Sequence, residues 1–385
     1  MKIKDFIKST GDIFVAIVFL SFNFFLILKP KNFKKIKSAK LIVLHQNGGF
    51  GHQVLVNDML RYEDSSILYI LFYDPTRFNK YVSEIFNIQS IYLKTCVGKN
   101  LEFIKNPLKF GEYEGSKYKI NNLFIEYFLN KILKKKTFHL QNYYQYVEKK
   151  NSHLKNSKLF KLRNFQDFNF YGDIHFYKLK NFPQKKPELN TKKKVEKILR
   201  KTNNYFSSKK ICTFYLRQKG VYSNDITNKY RVGSNKEDYI KVFKYLISKG
   251  YAIFLVGDKL YEKKDLNKFN NKVISSECIK INKDLFQMYA CTNCEIFISE
   301  PGGCQYFGLY APISIGINYF PIGYKPPFTN ILYKNIKSKI SNNKISINNK
   351  IKWKYNFKDK NIFVGNNTSD EIYNFIKKVY NDKKN

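Results

Sequence analysis

Glu295-Ile-Phe-Ile-Ser-Glu-Pro-Gly-Gly-Cys304 is the stretch whose reading decides the architecture. Its first half is a short apolar run, Glu295 to Ser299, of the kind that forms a strand buried on both faces. Pro301-Gly302-Gly303 stops that run and opens a helix. Outward from it, Ile313 to Ile317 is a further strand, and Leu285 to Ala290 before it is helical. Earlier still, Tyr251 to Val256 is a strand closing on Gly257-Asp258. A helix carrying Tyr239, Ile240, Phe243, Leu246 and Ile247 ends at Gly250, with Ser234-x-x-Glu237 expected as its capping box. Ile211 to Leu216 is the first strand of this series and ends in Arg217. Strand and helix in alternation predict a doubly wound parallel sheet.

The first half of the chain repeats the alternation. Leu41 to Leu44 is a strand, followed by the loop His45-Gln-Asn-Gly-Gly-Phe-Gly-His52 and a helix over Gln53 to Arg61. Ile67 to Tyr73 and Ile88 to Leu93 are strands on either side of a helix at Tyr81 to Phe86, and residues 121–150 are richer in helix. Pro183, Pro187 and clustered Lys mark the boundary between halves. Asn335 to Lys350 reads as a surface excursion, and Thr368-x-x-Glu371 caps a last amphipathic helix. The division expected is therefore 1–40, an anchor helix and basic linker; 41–186, a first Rossmann-like domain; and 187–385, a second.

Composition limits the function. With 385 residues, 43% hydrophobic and 17% aromatic, the chain can bury a large core and is not disordered. Its 69 Lys and Arg against 30 Asp and Glu leave +39. Such a charge suits nucleic acid, but the Lys are spread along the chain rather than gathered in one stripe. An anionic membrane surface or a phosphate-bearing substrate explains the sign equally well, and no nucleic-acid partner is expected. Six Cys in a chain this long make no disulfide framework. Cys291-Thr-Asn-Cys294 lacks the second pair of a zinc knuckle, so buried reduced thiols are expected, and no metal.

Ile13 to Leu28 is almost unbroken apolar, interrupted only by Ser21 and Asn23, and is slightly short for a span. Lys29, Lys31, Lys34, Lys35, Lys37 and Lys40 follow with no acid, which places the remainder on the cytoplasmic side of the inner membrane if residues 13–28 anchor it. A helix packed on the domain or lying in the interface is the other reading.

Two loops can carry chemistry. Gly48, Gly49 and Gly51 let the backbone approach a ligand at a strand–helix junction, and His52 at the helix start is a usable general base. The G-x-G-x-x-G spacing of dinucleotide sites and the Lys of a P-loop are both missing. In the second loop, Ser299 and the amides around Gly302 and Gly303 can hold a diphosphate without metal. Arg217, at the carboxyl end of its strand, points to the same crevice and offers bidentate phosphate contact. Arg231, Tyr215 and Asp258 are secondary candidates.

FISEPGGCQYFGLYAPISIGIN, TFYLRQKG with the following KYRVGSNKEDYIKVFKYLISKGYAIFLVGD, and GGFGH resemble GT-B glycosyltransferases of bacterial surface-polysaccharide pathways. The first segment is similar to the donor segment of heptosyltransferase-type enzymes, although their Asp-Ser-Gly turn reads Ser299-Glu300-Pro301-Gly302 here. The resemblance covers roughly residues 41–100 and 208–330. It implies two Rossmann-like domains facing a cleft, a nucleotide-sugar donor and a glycan or lipid-linked acceptor, with no cofactor. It also implies Arg217, Ser299, Gly302 and Gly303 at the donor diphosphate, Glu300 near ribose or sugar, and His52 as base toward the acceptor. A basic nucleic-acid-binding protein and a non-catalytic membrane scaffold are the alternatives.

Overall fold

The computed structural model describes residues 17–18, 20–46, 50–62, 66–73, 78–94, 124–150, 186–202, 204–207, 210–217, 235–279, 281–300, 303–317, 330–331 and 368–384. The chain divides into two compact units, Met1–His153 and Leu154–Asn385. Both are α/β with an entirely parallel sheet. The expected 186/187 boundary adjoins residues 151–185, which lie outside the described residues, as do Asn335 to Lys350.

The first unit opens with helix α1, described over residues 17–18 and 20–28, and α2 (Pro30–Ser38). The basic stretch expected as a linker is thus helical. Pro30 sits at the first helical position, where its missing N–H costs nothing, and Ile36 is buried. Four strands follow: β1 (Leu41–Gln46), β2 (Ile67–Tyr73), β3 (Gln89–Lys94) and β4 (Lys136–His139). They stand in the order β3-β2-β1-β4, all neighbours parallel. Helices α3 (Phe50–Leu60) and α4 (Tyr81–Ile85) link the first three strands. Helix α5 (residues 124–132), with a widened last turn at Phe128–Ile132, leads into β4, and α6 (Leu140–Lys150) leaves it.

Side chains of β1 alternate between the sheet's faces, as the period of two requires. Ile42 and Leu44 join Leu68, Ile70, Ile91 and Leu93 in a core closed by Ile27 of α1 and Ile125 and Leu129 of α5. Val43 and His45 fall on the opposite face.

The second unit starts with α7 (Lys192–Thr202) and carries β5 (Lys210–Leu216), α8 (Ile240–Ser248), β6 (Tyr251–Gly257), α9 (Lys263–Asn267), β7 (Val273–Ile274), α10 (Lys283–Asn293), β8 (Ile296–Ser299), a 3-10 helix (Gly303–Tyr310), β9 (Ile313–Gly316), β10 (Asn330–Ile331) and α11 (Ser369–Lys384). Strand order is β10-β9-β8-β5-β6-β7, all parallel. One face packs on Val242, Phe243 and Leu246 of α8 and on Ile372 and Ile376 of α11. The other packs Phe254 against Phe206, Phe286 and Tyr289.

The capping box ahead of α8 is shifted by one residue from the Ser234/Glu237 expectation. Asn235 and Asp238 form it, the Asn235 N–H donating to the Asp238 carboxylate at 2.8 Å around a short 3-10 turn (Lys236–Tyr239). Ser234 lies outside the described residues. The box expected at Thr368 and Glu371 is present: the Thr368 N–H donates to Glu371 at 2.6 Å and the Glu371 N–H to Thr368 Oγ1 at 3.3 Å.

Candidate functional site

A parallel sheet offers a crevice where the chain leaves two adjacent strands in opposite directions, outside their carboxyl ends. In the second unit that point lies between β5 and β8, because β6 and β7 continue on one side and β9 and β10 on the other. Tyr215 of β5 stands beside Ser299 of β8. Arg217 and Glu300, one residue past these strands, therefore flank the switch point.

The two are locked together. The Arg217 N–H donates to Glu300 Oε2 at 2.5 Å, the Glu300 N–H to the Tyr215 carbonyl at 3.0 Å, and the Tyr239 hydroxyl to Glu300 Oε1 at 2.8 Å. Glu300 is 0% exposed. Its carboxylate thus ties the end of β5 to Tyr239 at the foot of α8, and does not face solvent toward a ribose or sugar as the sequence suggested. Because β8 lies beside β5 in the sheet, a carboxylate one residue past β8 reaches the backbone N–H one residue past β5. Ser299 is likewise 0% exposed.

Arg217 is 9% exposed. Its Nη1 donates to the Tyr215 hydroxyl at 3.1 Å, and Nε lies 3.4 Å from Asp258 Oδ2. Burial pushes the Tyr215 hydroxyl well above its ordinary range, with the Arg217 charge opposing in part, so the phenol stays protonated at neutral pH. Asp258 reaches this position through Gly257, whose φ of +97° favours glycine. A Cβ there would stand 2.3 Å from the Leu216 carbonyl oxygen and 2.9 Å from the Tyr215 ring. The Asp258 N–H donates to that same carbonyl at 3.0 Å.

A shallow open pocket lies along the ends of β5, β6 and β7, lined by Leu216, which precedes Arg217, and by Asp258, its ion-pair partner. Leu216, Leu255 and Phe286 give it an apolar floor, and Ser275, Ser276 and Glu277 a polar edge. Gly303 begins the 3-10 helix after β8 and is half-buried. Gly302 and Arg231 lie outside the described residues.

The first unit has its switch point between β1 and β4, where Leu44 stands beside His139. Gly51 and His52 belong to the first turn of α3, which begins at Phe50, earlier than the sequence indicated. Gly48 and Gly49 lie outside the described residues. His45 is fully buried, its Nδ1 2.6 Å from the Tyr69 hydroxyl, and serves packing. His139, missed by the sequence reading, ends β4 immediately before α6. Its Nε2 lies 2.7 Å from Glu126 Oε2 of α5, and its side chain is 31% exposed. A carboxylate that fixes an accessible imidazole is the arrangement of a positioned general base. The missed signal was a His at a strand–helix junction, parallel to His52, hidden by a strand of only four residues.

The cysteines are packing groups. Cys212, Cys291, Cys294 and Cys304 are buried and Cys278 is half-buried, all as free thiols; Cys96 lies outside the described residues. Burial raises Cys212 and Cys291 well above the usual thiol range and pushes Cys294 up to about 12. Among the described residues no three His, Cys, Asp or Glu side chains gather as metal ligands would.

No family model and no curated protein sequence matches the chain. Among solved structures it is similar to a glycosyl transferase family 9 protein from Veillonella parvula, at 11% identity over 76% of this chain and 86% of that one, TM-score 0.41. A UDP-GlcNAc 2-epimerase from Methanocaldococcus jannaschii, solved with UDP-GlcNAc and UDP, matches at 13% identity over 72% and 83%, TM-score 0.29. The Anabaena protein HepE, solved with UDP and glucose, matches at 12% over 72% and 80%, TM-score 0.25. These superpositions are loose, and what those proteins bind and transfer belongs to them.

Proposed function

We propose that the chain is a GT-B-type glycosyltransferase. It moves a sugar from a nucleotide-sugar donor to a glycan or lipid-linked acceptor in cell-surface polysaccharide synthesis, on the cytoplasmic side of the inner membrane. The observation that carries this reading is Arg217 fixed at the switch point of a parallel sheet, beside a pocket with an apolar floor and a hydroxyl-lined edge. That pocket takes the nucleoside. Arg217 takes the diphosphate, together with the amides of Gly302 and Gly303. Glu300 holds the backbone of Arg217 in place from the neighbouring strand end, with the buried Ser299 one residue before it.

In the transfer, an acceptor hydroxyl oxygen forms a bond to the anomeric carbon as that carbon's bond to the diphosphate oxygen breaks. The hydroxyl proton passes to a general base of the first unit, and the nucleoside diphosphate leaves with its new charge met by Arg217. No cofactor or metal enters these steps. Two residues compete for the base. His52 stands in the first turn of α3 after the glycine loop. His139 is favoured by a specific observation, the 2.7 Å contact with Glu126 that fixes its ring.

Calorimetric titration with UDP, GDP, CDP and ADP tests the reading. One nucleoside diphosphate should bind, and its sugar conjugates should then be screened for turnover. Failure of all four to bind, with retention of nucleic acid at moderate salt instead, would replace the proposal with the nucleic-acid reading. Failure of both would leave the membrane scaffold.

A further inference from the structure

A soluble helix packed on a core buries its apolar stripe and turns its polar face to water. Helix α1 is apolar on both faces. Leu20, Phe24 and Ile27 face the core of the first unit, whereas Ile17, Val18, Phe22, Phe25 and Leu28 are exposed, Phe25 by 63%. On a helical wheel the exposed set occupies one arc and the buried set the opposite one. Helix α5 repeats the pattern: Ile125 and Leu129 are buried, and Phe124, Tyr127 and Ile132 are exposed, Tyr127 by 60%. The two helices touch, with the Phe24 and Phe128 rings edge to face at 5.2 Å.

The pair is held as one platform. Asn32 Nδ2 donates to the Leu26 carbonyl at 2.8 Å, fixing α2 to α1. Lys135, just past α5, donates to the carbonyls of Lys37 and Ala39 at 2.6 and 3.1 Å, fixing α2 to α5. Lys29 lies over the exposed Phe25 ring at 5.3 Å, and Lys31, Lys34, Lys37, Lys131 and Lys134 on the same and adjoining segments are exposed. Among the described residues no helix is long and apolar enough to cross a membrane; residues 13–16 and 19 of the expected anchor lie outside them.

We infer that α1 and α5 together form an in-plane docking surface for an anionic lipid bilayer, with their aromatic side chains in the headgroup boundary and the lysines on the phosphates. Aromatics and lysine at the edge of an apolar face suit that boundary. The exposed lysines of these segments choose the occupant. Against a second copy of the chain they would set like charge on like charge, whereas anionic headgroups complement them. The surface goes beyond a linear anchor of residues 13–28, because half of it comes from a helix about a hundred residues later.

Co-sedimentation of the full chain with phosphatidylcholine vesicles, with and without about 30% phosphatidylglycerol, tests this. The chain should partition onto the anionic vesicles at least roughly tenfold more strongly, and lose most of that in high salt. Phe22→Ser with Phe25→Ser, and separately Tyr127→Ser with Ile132→Ser, should each weaken partition about tenfold. All four side chains are exposed, so an unchanged melting curve checks the fold, and unchanged nucleotide binding keeps this test separate from the donor reading. If the Tyr127/Ile132 pair leaves partition unchanged, the two-helix surface is wrong and a linear anchor stands. Loss of self-association instead of vesicle binding would make the face a contact between copies, and that too overturns the inference.

Discussion

The two sheets share a plan and differ at the point where each opens. In the second unit the ends of β5 and β8 are filled by a connected polar set, Arg217, Glu300, Tyr239, Tyr215 and Asp258, every described link lying within the unit. In the first unit the ends of β1 and β4 carry two histidines, one sealed against Tyr69 and one accessible beside Glu126. A network of buried charge-assisted bonds holds one geometry, because shifting any member orphans the others. A single accessible pair can follow its ligand. On the proposed function, the second unit would be the fixed donor side and the first the adaptable acceptor side.

The base assignment breaks or keeps that contrast with the largest effect. His139→Ala should lower kcat about 10²–10⁴-fold with donor affinity unchanged, the usual loss for a general base. Glu126→Gln should lower kcat less and leave the donor Kd alone. If His52→Ala collapses turnover while His139→Ala does not, the glycine loop supplies the base and the Glu126 pair is structural. If neither matters, the first unit does no proton transfer of this kind.

Stability sharpens it next. Glu300→Ala strands the Arg217 N–H and the Tyr239 hydroxyl in a dry place, at roughly 1–3 kcal/mol for each, so about 2–6 kcal/mol in urea unfolding of the second unit. Tyr69→Phe in the first unit removes a single contact, leaving one buried His45 nitrogen to satisfy, and should cost about 1–3 kcal/mol. Equal losses would mean that the two crevices are built alike. Gly257→Ala destabilises as well: a left-handed residue alone costs about 1–2 kcal/mol, and the crowding against Leu216 adds to it. Its loss should come with weaker nucleotide binding, since Asp258 would no longer meet Arg217.

Much of this was legible in the sequence, and unevenly. Both parallel sheets followed from apolar runs separated by helical periods, and Arg217 followed from its place one residue past a strand. Buried strands such as Tyr251–Gly257 announce themselves because both faces are apolar. β4 did not, since Lys136-Thr-Phe-His139 is four residues long and only Thr137 in it is buried. Missing β4 hid the switch point of the first unit, and with it His139. Glu300 near ribose or sugar was implied by the resemblance alone. Only the register of β8 beside β5 shows that the Glu300 carboxylate accepts from the Arg217 N–H. α2 was hidden by its lysines, although its Ile36 turns into the core of the first unit.

The smallest effect expected is in the thiols. Cys278 should react with iodoacetamide faster than Cys291 and Cys294, whose burial keeps them protonated at neutral pH. Cys291→Ser with Cys294→Ser should leave nucleotide binding unchanged, and EDTA should not alter turnover. Stoichiometric zinc in freshly purified protein, lost with the two Ser substitutions, would contradict the packing role.

The central claim is that Arg217, at the β5–β8 switch point, holds the diphosphate of a nucleotide whose nucleoside lies in the pocket at the ends of β5, β6 and β7. Titration of the full chain with a nucleoside diphosphate and with its parent nucleoside, before and after Arg217→Ala, tests it most directly. Losing a charge-assisted hydrogen bond is worth about 1.5–3 kcal/mol. The diphosphate should therefore bind roughly ten- to a hundredfold more weakly to the variant, and the nucleoside about as before. Equal weakening of both ligands, or no binding of either by the native chain, would contradict the account.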